Sequence, residues 1–138
     1  MKNVKRKLAI CLMLSFVLGL YSFSSAYAYT VPSTIYSISS SSSYTGAGYV
    51  STMGDLASKY LFTGANDYNL KINSVEPAMN VKIMSYTYGT QIGSLHISSA
   101  GSYTVMAHSS TEKIYFIFTD DTWNNEPLTF SYTLSKID

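Results

Sequence analysis

Hydrophobic and polar residues alternate with a period of two along much of the second half of the chain. Segments 68–73 and 128–135 each place their apolar side chains on one side and polar side chains on the other. Segment 114–118 is apolar at every position. A period of two is that of a β-strand, and a wholly apolar strand needs cover on both faces. The pattern therefore predicts two strands with one face in water and one strand at the centre of a sheet.

Three further strand-like segments follow one another through short connections that contain glycine. The segments are 80–87, 90–98 and 102–108, and the connections are 88–89 and 99–101. Connections of this kind are typical of antiparallel hairpins. Segment 57–63 is also predicted as a strand. Asp55 and Lys59 stand four residues apart, the spacing of neighbours on a helix, so residues 51–61 are open to a short helix as the alternative.

The whole pattern gives about seven or eight strands at roughly ten-residue spacing, which favours an antiparallel arrangement. The predicted fold class is all-β, an antiparallel β-sandwich or jelly roll, preceded by a cleaved helical signal peptide. Residues 1–28 form the predicted signal peptide and residues 29–48 a serine-rich flexible or edge segment. The predicted β-sandwich domain then occupies residues 49–138.

The signal peptide is predicted from three successive features. Residues 2–7 hold four basic side chains, and residues 8–20 are uncharged and apolar. The segment ends in Ala26-Tyr27-Ala28, whose two small residues fit a signal peptidase, and cleavage after Ala28 is expected. The apolar run is too short to remain as a membrane span. We therefore expect a secreted, extracellular protein, and the lysine-rich signal and lack of N-x-S/T acceptors indicate a bacterial one.

Removal of this segment changes the charge of the protein. The full chain has nine basic and eight acidic residues and a formal net charge of +1, but four basic residues and the single cysteine precede residue 29. The remaining residues 29–138 contain five lysines and eight carboxylates, which gives a net charge of −3. A chain with this balance and no arginine lacks the basic patch that binds nucleic acid or anionic membranes. Without cysteine, its stability must come from one hydrophobic core.

The sequence offers little to support catalysis. If segments 90–98 and 102–108 pair so that Leu95 faces Val105, His96 and His108 lie roughly 13 Å apart, too far for one metal ion. The serine-nucleophile signature G-x-S-x-G is absent, and Asp120 and Asp121 are adjacent, so their side chains point apart. We expect a protein that is not an enzyme and has no cofactor. A bound Ca²⁺ ion is the one exception that the sequence leaves open.

Two candidate binding sites remain. The loop 120–126 gathers oxygen ligands suited to Ca²⁺, namely Asp120, Asp121, Asn124 and Glu126, although a solvated turn closed by Pro127 explains the same residues. Aromatic rings suited to sugar stacking form the second candidate. Eleven tyrosines follow residue 28, and most fit strand packing, which leaves Trp123, Tyr86 and Tyr88 as the predicted ligand-binding residues.

Residues 57–135 resemble the bacterial pre-peptidase C-terminal domain, a small secreted β-sandwich. The segments that carry the resemblance are 59–62 (KYLF), 68–72 (YNLKI), 81–84 (VKIM) and 100–105 (AGSYTV). Asn66-Asp67 and Met79-Asn80 stand where that family usually has stronger acidic signals. The resemblance implies an accessory or binding role and adds no catalytic residue.

Together these features predict a small, secreted, non-catalytic β-sandwich protein with a binding or accessory role at the cell envelope or in the extracellular matrix. Its expected partner is a cell-wall or matrix glycan or another secreted protein. Two alternatives remain open. One is a self-assembling structural protein, because low charge, a serine-rich lead segment and tyrosine-rich strands favour edge-to-edge association. The other is a secreted inhibitor or toxin-like effector.

Overall fold

A computed structural model of the chain describes residues 29–52, 54–121 and 126–138. Within these ranges the chain forms ten β-strands. They are β1 (Ile35–Ser37), β2 (Ser43–Val50), β3 (Asp55–Ala57), β4 (Leu61–Thr63), β5 (Asp67–Glu76), β6 (Met79–Ser85), β7 (Thr90–Ile97), β8 (Gly101–Met106), β9 (Ile114–Asp120) and β10 (Leu128–Lys136). None of the described residues belongs to a helix that is long and apolar enough to cross a membrane. The predicted signal peptide, with Ala26 and Ala28, lies outside the described residues.

The strands form two sheets that pack face to face. Sheet A has the order β1-β4-β9-β6-β7, and β3 also pairs with β9. Sheet B has the order β2-β10-β5-β8. All the pairs are antiparallel except β1 with β4. The predicted antiparallel β-sandwich is confirmed. The predicted strand number is too low, because β1 and β2 lie in the segment predicted to be flexible or at an edge, and the predicted strand 57–63 covers parts of both β3 and β4.

The core lies between the sheets and is built by strict alternation along the strands. In β5 and β10 the buried positions are the predicted ones: Tyr68, Leu70, Ile72, Leu128, Phe130, Tyr132 and Leu134. Phe118 of sheet A meets the rings of Phe130 and Tyr132 of sheet B, with centroids 4.3 and 5.1 Å apart. Each such buried side chain contributes roughly 1.5–3 kcal/mol of transfer free energy, so this layer is the main source of stability.

Strand β9 is covered on both faces, as its wholly apolar sequence predicts. Phe116 and Phe118 face the core, while Tyr115 and Ile117 form a second buried cluster with Leu61 on the outer face of sheet A. Tyr29 packs on this cluster and covers the ring of Tyr115. Burial, together with the neighbouring hydroxyl of Tyr29, raises the pKa of Tyr115 to about 12.

Two predictions about pairing are wrong. Segments 90–98 and 102–108 do not form a hairpin, because β7 pairs with β6 in sheet A and β8 pairs with β5 in sheet B. The connection 98–100 crosses between the sheets instead of turning within one. Segment 57–63 is not one strand: buried Ser58 interrupts it, with its N–H donating to the carbonyl of Phe116 at 2.8 Å. No helix forms over the described part of 51–61.

The serine-rich segment contributes two edge strands. Strand β1 pairs with β4 at one edge of sheet A, and β2 pairs with β10 along eight residues at one edge of sheet B. Strand β2 crosses the predicted start of the sandwich domain at residue 49, so the domain begins earlier in the chain than predicted. Gly46 and Gly48 make this pairing possible, because a side chain at either position would overlap the rings of Tyr132 and Phe130.

Candidate functional site

The site begins where β6 ends, at Ser85. The chain turns back into β7 through residues 86–89, and the N–H of Gly89 donates to the carbonyl of Ser85 at 2.9 Å. The N–H of Tyr88 donates to the Ser85 hydroxyl oxygen at 3.2 Å. Gly89 has φ of +67°, a left-handed conformation that glycine adopts without strain. The predicted hairpin at Tyr88-Gly89 is therefore confirmed, and its turn is fixed by two hydrogen bonds to Ser85.

The loop between β8 and β9, residues 107–113, packs beside this turn. The N–H of Tyr86 donates to the carbonyl of Lys113 at 2.8 Å. The N–H of Lys113 in turn donates to the hydroxyl oxygen of Thr87 at 3.0 Å. These reciprocal bonds hold a turn of sheet A against a loop that arrives from sheet B, so the two connections form one continuous surface.

The side chain of Glu112 links the end of β6, just before the turn 86–89, to the loop 107–113 from the buried side. Its side chain is fully buried, and the residue is only 1% exposed. The carboxylate accepts hydrogen bonds from the Ser85 hydroxyl and from the backbone N–H of His108. It also pairs with Nδ1 of the His108 ring, at 3.1 Å. A single carboxylate therefore fixes both the end of β6 and the orientation of an imidazole.

The hydrogen bonds decide the charge of Glu112. Burial on its own would raise the pKa of this carboxyl, because the charged form loses hydration. The bonds donated by Ser85 and by the backbone and ring of His108 outweigh burial and hold the pKa below its ordinary value of 4.5. Glu112 is thus a carboxylate at neutral pH, and its two oxygens face Nδ1 of His108 at 3.2 and 3.1 Å.

Three side chains project from this braced end into solvent. Tyr86 and Tyr88 are 48% and 60% exposed, and the side chain of His108 is 62% exposed. The rings of Tyr88 and His108 meet edge to face, with centroids 5.5 Å apart and planes at 83°. We call Tyr86, Tyr88 and His108 the tyrosine–histidine surface. Because Nδ1 of His108 is held by Glu112, the other ring nitrogen, Nε2, is left to face a ligand.

A second histidine–carboxylate pair lies at the other end of β6. Nδ1 of His96 is 3.0 Å from a carboxylate oxygen of Asp121 and 3.2 Å from the side-chain oxygen of Asn80. The amide nitrogen of Asn80 donates to the other oxygen of Asp121. Here the side chains of His96 and Asp121 are 59% and 34% exposed, so both partners reach solvent.

The residues predicted from the sequence fall into separate places. Tyr86 and Tyr88 lie together at the braced end, whereas Trp123 and Asn124 lie outside the described residues. Asp121 lies beside the start of β6, where its N–H donates to the carbonyl of Ala78. The turn that carries Tyr86 and Tyr88 follows the other end of this seven-residue strand, roughly 20 Å away. Within the described ranges no three His, Cys, Asp or Glu side chains come together as metal ligands. The Ca²⁺ site of Asp120, Asp121, Asn124 and Glu126 stays a prediction.

Sequence reasoning missed Ser85 and Glu112 and misplaced His108. The register that set His96 and His108 on one hairpin does not exist, since His96 is on β7 and His108 follows β8 in the other sheet. The four-residue spacing of His108 and Glu112 was the available signal. In a loop that spacing has no fixed geometry, so burial of the carboxylate could not be foreseen.

No family model matches the chain, and no curated protein matches it. Among solved structures, the chain is similar to PliG of Aeromonas hydrophila, a periplasmic inhibitor of g-type lysozyme, with a TM-score of 0.52. The similarity covers 78% of this chain and 98% of PliG at 13% sequence identity. The likeness is one of fold.

Proposed function

We propose that this chain is an exported, non-catalytic inhibitor that binds a peptidoglycan-cleaving glycosidase of the lysozyme type. In this proposal the tyrosine–histidine surface enters or covers the substrate cleft of the enzyme. The observation that carries the proposal is the bracing of this surface by buried Glu112. Side chains that are already ordered lose little conformational entropy on binding, which is the requirement for a tight inhibitor.

The chemistry of the surface suits such a cleft. Glycosidases hold two carboxyl groups at the base of a groove shaped for sugar rings. The phenol rings of Tyr86 and Tyr88 offer flat apolar faces with a polar tip, a combination enriched where proteins bind proteins. The imidazole of His108 presents Nε2, and with Nδ1 donating to Glu112 this nitrogen accepts a hydrogen bond from a protonated catalytic carboxyl group. Tyrosines therefore occupy the sugar subsites, and His108 meets the acidic residues.

Two further features support export and inhibition. Residues 1–28 carry the predicted signal peptide, which is consistent with a protein that meets lysozymes outside the cytoplasm. The fold is shared with PliG, whose target is a g-type lysozyme. Because the likeness to PliG extends only to fold, the target of this chain is inferred from its own surface together with that neighbour.

The test is a lysozyme activity assay with the purified protein. Hydrolysis of peptidoglycan by a g-type lysozyme, and by lysozymes of other types, is followed at increasing concentrations of this chain. We expect saturable inhibition of at least one type. The variants Tyr88→Ala and His108→Ala should each weaken inhibition roughly tenfold or more, the loss typical of an interface hot spot.

A matched control is available in Tyr49 of β2, which is 62% exposed against 60% for Tyr88 and lies on the other sheet. Tyr49→Ala should inhibit as the wild type does. Absence of inhibition of every lysozyme type tested would overturn the proposal. Equal losses from Tyr49→Ala and Tyr88→Ala would reject the tyrosine–histidine surface as the inhibitory one.

A further inference from the structure

A pocket opens at the edge of the sandwich, where β2 of sheet B lies over β3 of sheet A. It has a volume of about 290 Å³. We call it the edge pocket, and the side chains that define it are Tyr44, Leu56, Lys59, Phe118, Phe130 and Tyr132. An apolar cavity of about 150 Å³ already holds benzene, so the edge pocket has room for one ring and a short chain.

Two glycines of β2 create this space. Residues 44, 46 and 48 alternate along the strand, so all three positions face the core. A Cβ atom at Gly46 would stand 2.8 Å from Cζ of Tyr132, and one at Gly48 would overlap Cζ of Phe130. The tips of both rings therefore reach beneath the edge strand, where the two glycines have no side chains to cover them.

Aromatic rings form most of the wall of the edge pocket. Phe118 contacts Phe130 and Tyr132, with ring centroids 4.3 and 5.1 Å apart. The ring centroids of Tyr44 and Tyr132 are 6.0 Å apart. Leu56 completes the wall on the side of sheet A. Because aromatic rings prefer offset or edge-to-face contact with another ring, this wall favours a flat aromatic group.

The hydroxyl of Tyr132 is a polar group at the end of this wall. The residue is only 2% exposed, and its hydroxyl forms no hydrogen bond with another described residue. Burial, with a smaller contribution from Tyr44, raises the pKa of this hydroxyl above its ordinary value of 10, so it is neutral and can donate. A buried hydroxyl without a partner is unfavourable, and an oxygen atom of a ligand would remove that cost.

The polar groups of the edge pocket gather at its mouth. Lys59 is exposed, and its Nζ atom lies 5.3 Å from the centroid of the Tyr60 ring. Burial and Tyr60 raise the pKa of the Tyr44 hydroxyl, and the positive charge of Lys59 opposes that rise. The Tyr44 hydroxyl in turn acts on that of Tyr132. The ammonium group and the Tyr132 hydroxyl therefore lie on either side of the Tyr44 hydroxyl, at one end of the pocket.

The charge at this mouth is positive. Lys59 forms no ion pair with another described residue, and none of the residues that line the edge pocket is Asp or Glu. Asp55 keeps its negative charge, but its side chain lies on the outer face of sheet A, where the Thr119 hydroxyl donates to it at 2.7 Å. Leu56, the next residue, faces the core, so β3 lies between Asp55 and the aromatic wall. The mouth therefore complements a ligand with one negative group.

We propose that the edge pocket binds a small aromatic carboxylate, in which one ring carries its acid group on a short chain. The ring packs against Phe118 and Phe130. The Tyr132 hydroxyl donates to a carboxylate oxygen, and the ammonium group of Lys59 pairs with the same carboxylate. None of the three residues of the tyrosine–histidine surface lines this pocket, so the binding is separate from the proposed inhibition.

The experiment is calorimetric titration of the purified protein with 3-phenylpropionate. Its amide and 3-phenylpropylamine keep the ring and the chain but are neutral and cationic. We expect saturable binding of the acid, at least roughly fivefold weaker binding of the amide and none of the amine. Lys59→Met should lower affinity for the acid roughly tenfold, the size of one hydrogen bond to a charged group, and leave that for the amide unchanged. Lys71→Met, which alters an exposed strand lysine of sheet B, is the matched control and should bind as the wild type does.

Two further measurements test the hydroxyl and the aromatic wall. Tyr132→Phe keeps the ring and should lower affinity for 3-phenylpropionate roughly fivefold. Hexanoate, an acid without a ring, should bind at least roughly fivefold more weakly than 3-phenylpropionate. Tyr88→Ala should bind 3-phenylpropionate normally, so failure of the inhibitor proposal and failure of this one are separable.

Any one of four results would overturn the proposal. The first is no binding of 3-phenylpropionate at millimolar concentration, and the second is equal binding of the amide or of hexanoate. The third is equal losses from Lys59→Met and Lys71→Met. The fourth is unchanged affinity in Tyr132→Phe.

Discussion

Two histidine–carboxylate pairs lie near opposite ends of β6, and they differ in the burial of the carboxylate. Nδ1 of His96 is 3.0 Å from Asp121, and Nδ1 of His108 is 3.1 Å from Glu112. The two imidazoles are also almost equally exposed, at 59% and 62%. The carboxylates are not alike: the side chain of Asp121 is 34% exposed, and that of Glu112 is fully buried.

The difference shows that the distance between imidazole and carboxylate does not alone set how much such a pair contributes to the free energy of unfolding. An ion pair in water gains about 0–1 kcal/mol, because solvent screens both charges and the side chains must be ordered. A buried carboxylate, in contrast, depends on every hydrogen bond that replaces its lost hydration. Glu112 accepts from Ser85 and from two groups of His108, so its removal leaves several donors without a partner.

The largest expected effect is the loss of stability on truncating the buried carboxylate. Glu112→Ala should lower the free energy of unfolding by about 3 kcal/mol, since the buried Ser85 hydroxyl and the His108 N–H lose their acceptor. Asp121→Ala should lower it by less than about 1 kcal/mol, because its partners remain hydrated. Urea unfolding of the two variants, followed by tyrosine fluorescence, measures the contrast.

Glu112→Gln keeps an acceptor oxygen and provides a milder variant if Glu112→Ala does not fold. Its expected loss is about 2 kcal/mol, since the bonds to a neutral amide are weaker than those to a carboxylate. Similar losses from Glu112→Gln and Asp121→Ala would contradict the view that burial separates the two pairs.

The pH dependence of stability gives a smaller effect with a definite sign. The pKa of Glu112 is 4.5 in its ordinary state and lower in the folded protein, so in acid the unfolded chain binds a proton first. The contribution of Glu112 is therefore complete above about pH 4.5 and is lost as the pH falls through the depressed folded value. Urea midpoints of the wild type and Glu112→Gln, measured between pH 3 and 6, should differ most near pH 6 and become more similar as the pH falls. Parallel curves would show that Glu112 does not titrate differently in the two states.

The sequence was sufficient for the parts of the fold that follow local periodicity. Alternation in β5 and β10 predicted which side chains are buried, and the apolar run in β9 predicted a strand covered on both faces. Both inferences use only the geometry of a single strand. The order of strands within each sheet depends on long-range packing, which is why the hairpin of β7 with β8 was wrong.

The candidate site was less accessible to sequence reasoning. Tyr86 and Tyr88 could be selected because they flank a glycine turn and do not fit the alternation of core positions. Glu112 could not be selected, because glutamate is among the residues least often buried and the residues around it in the sequence do not indicate burial.

The smallest expected effect comes from removing the two imidazoles. His96→Ala should change the free energy of unfolding by less than about 0.5 kcal/mol, because an exposed pair is screened by solvent. His108→Ala should lower it by about 1 kcal/mol, since buried Glu112 loses a charge-assisted bond and Tyr88 loses its edge-to-face neighbour. The backbone N–H of His108 still donates to Glu112 in this variant, so its loss should stay well below that of Glu112→Ala.

Both histidine variants are measured best as a double-mutant cycle. The coupling of His108→Ala with Glu112→Gln should exceed that of His96→Ala with Asp121→Asn, because buried partners interact through less screened charge. Equal coupling energies would mean that exposure of the imidazole, which is the same in both pairs, sets the interaction energy. A larger coupling at His108 would show that burial of the carboxylate does, and that Glu112 holds the His108 ring in place.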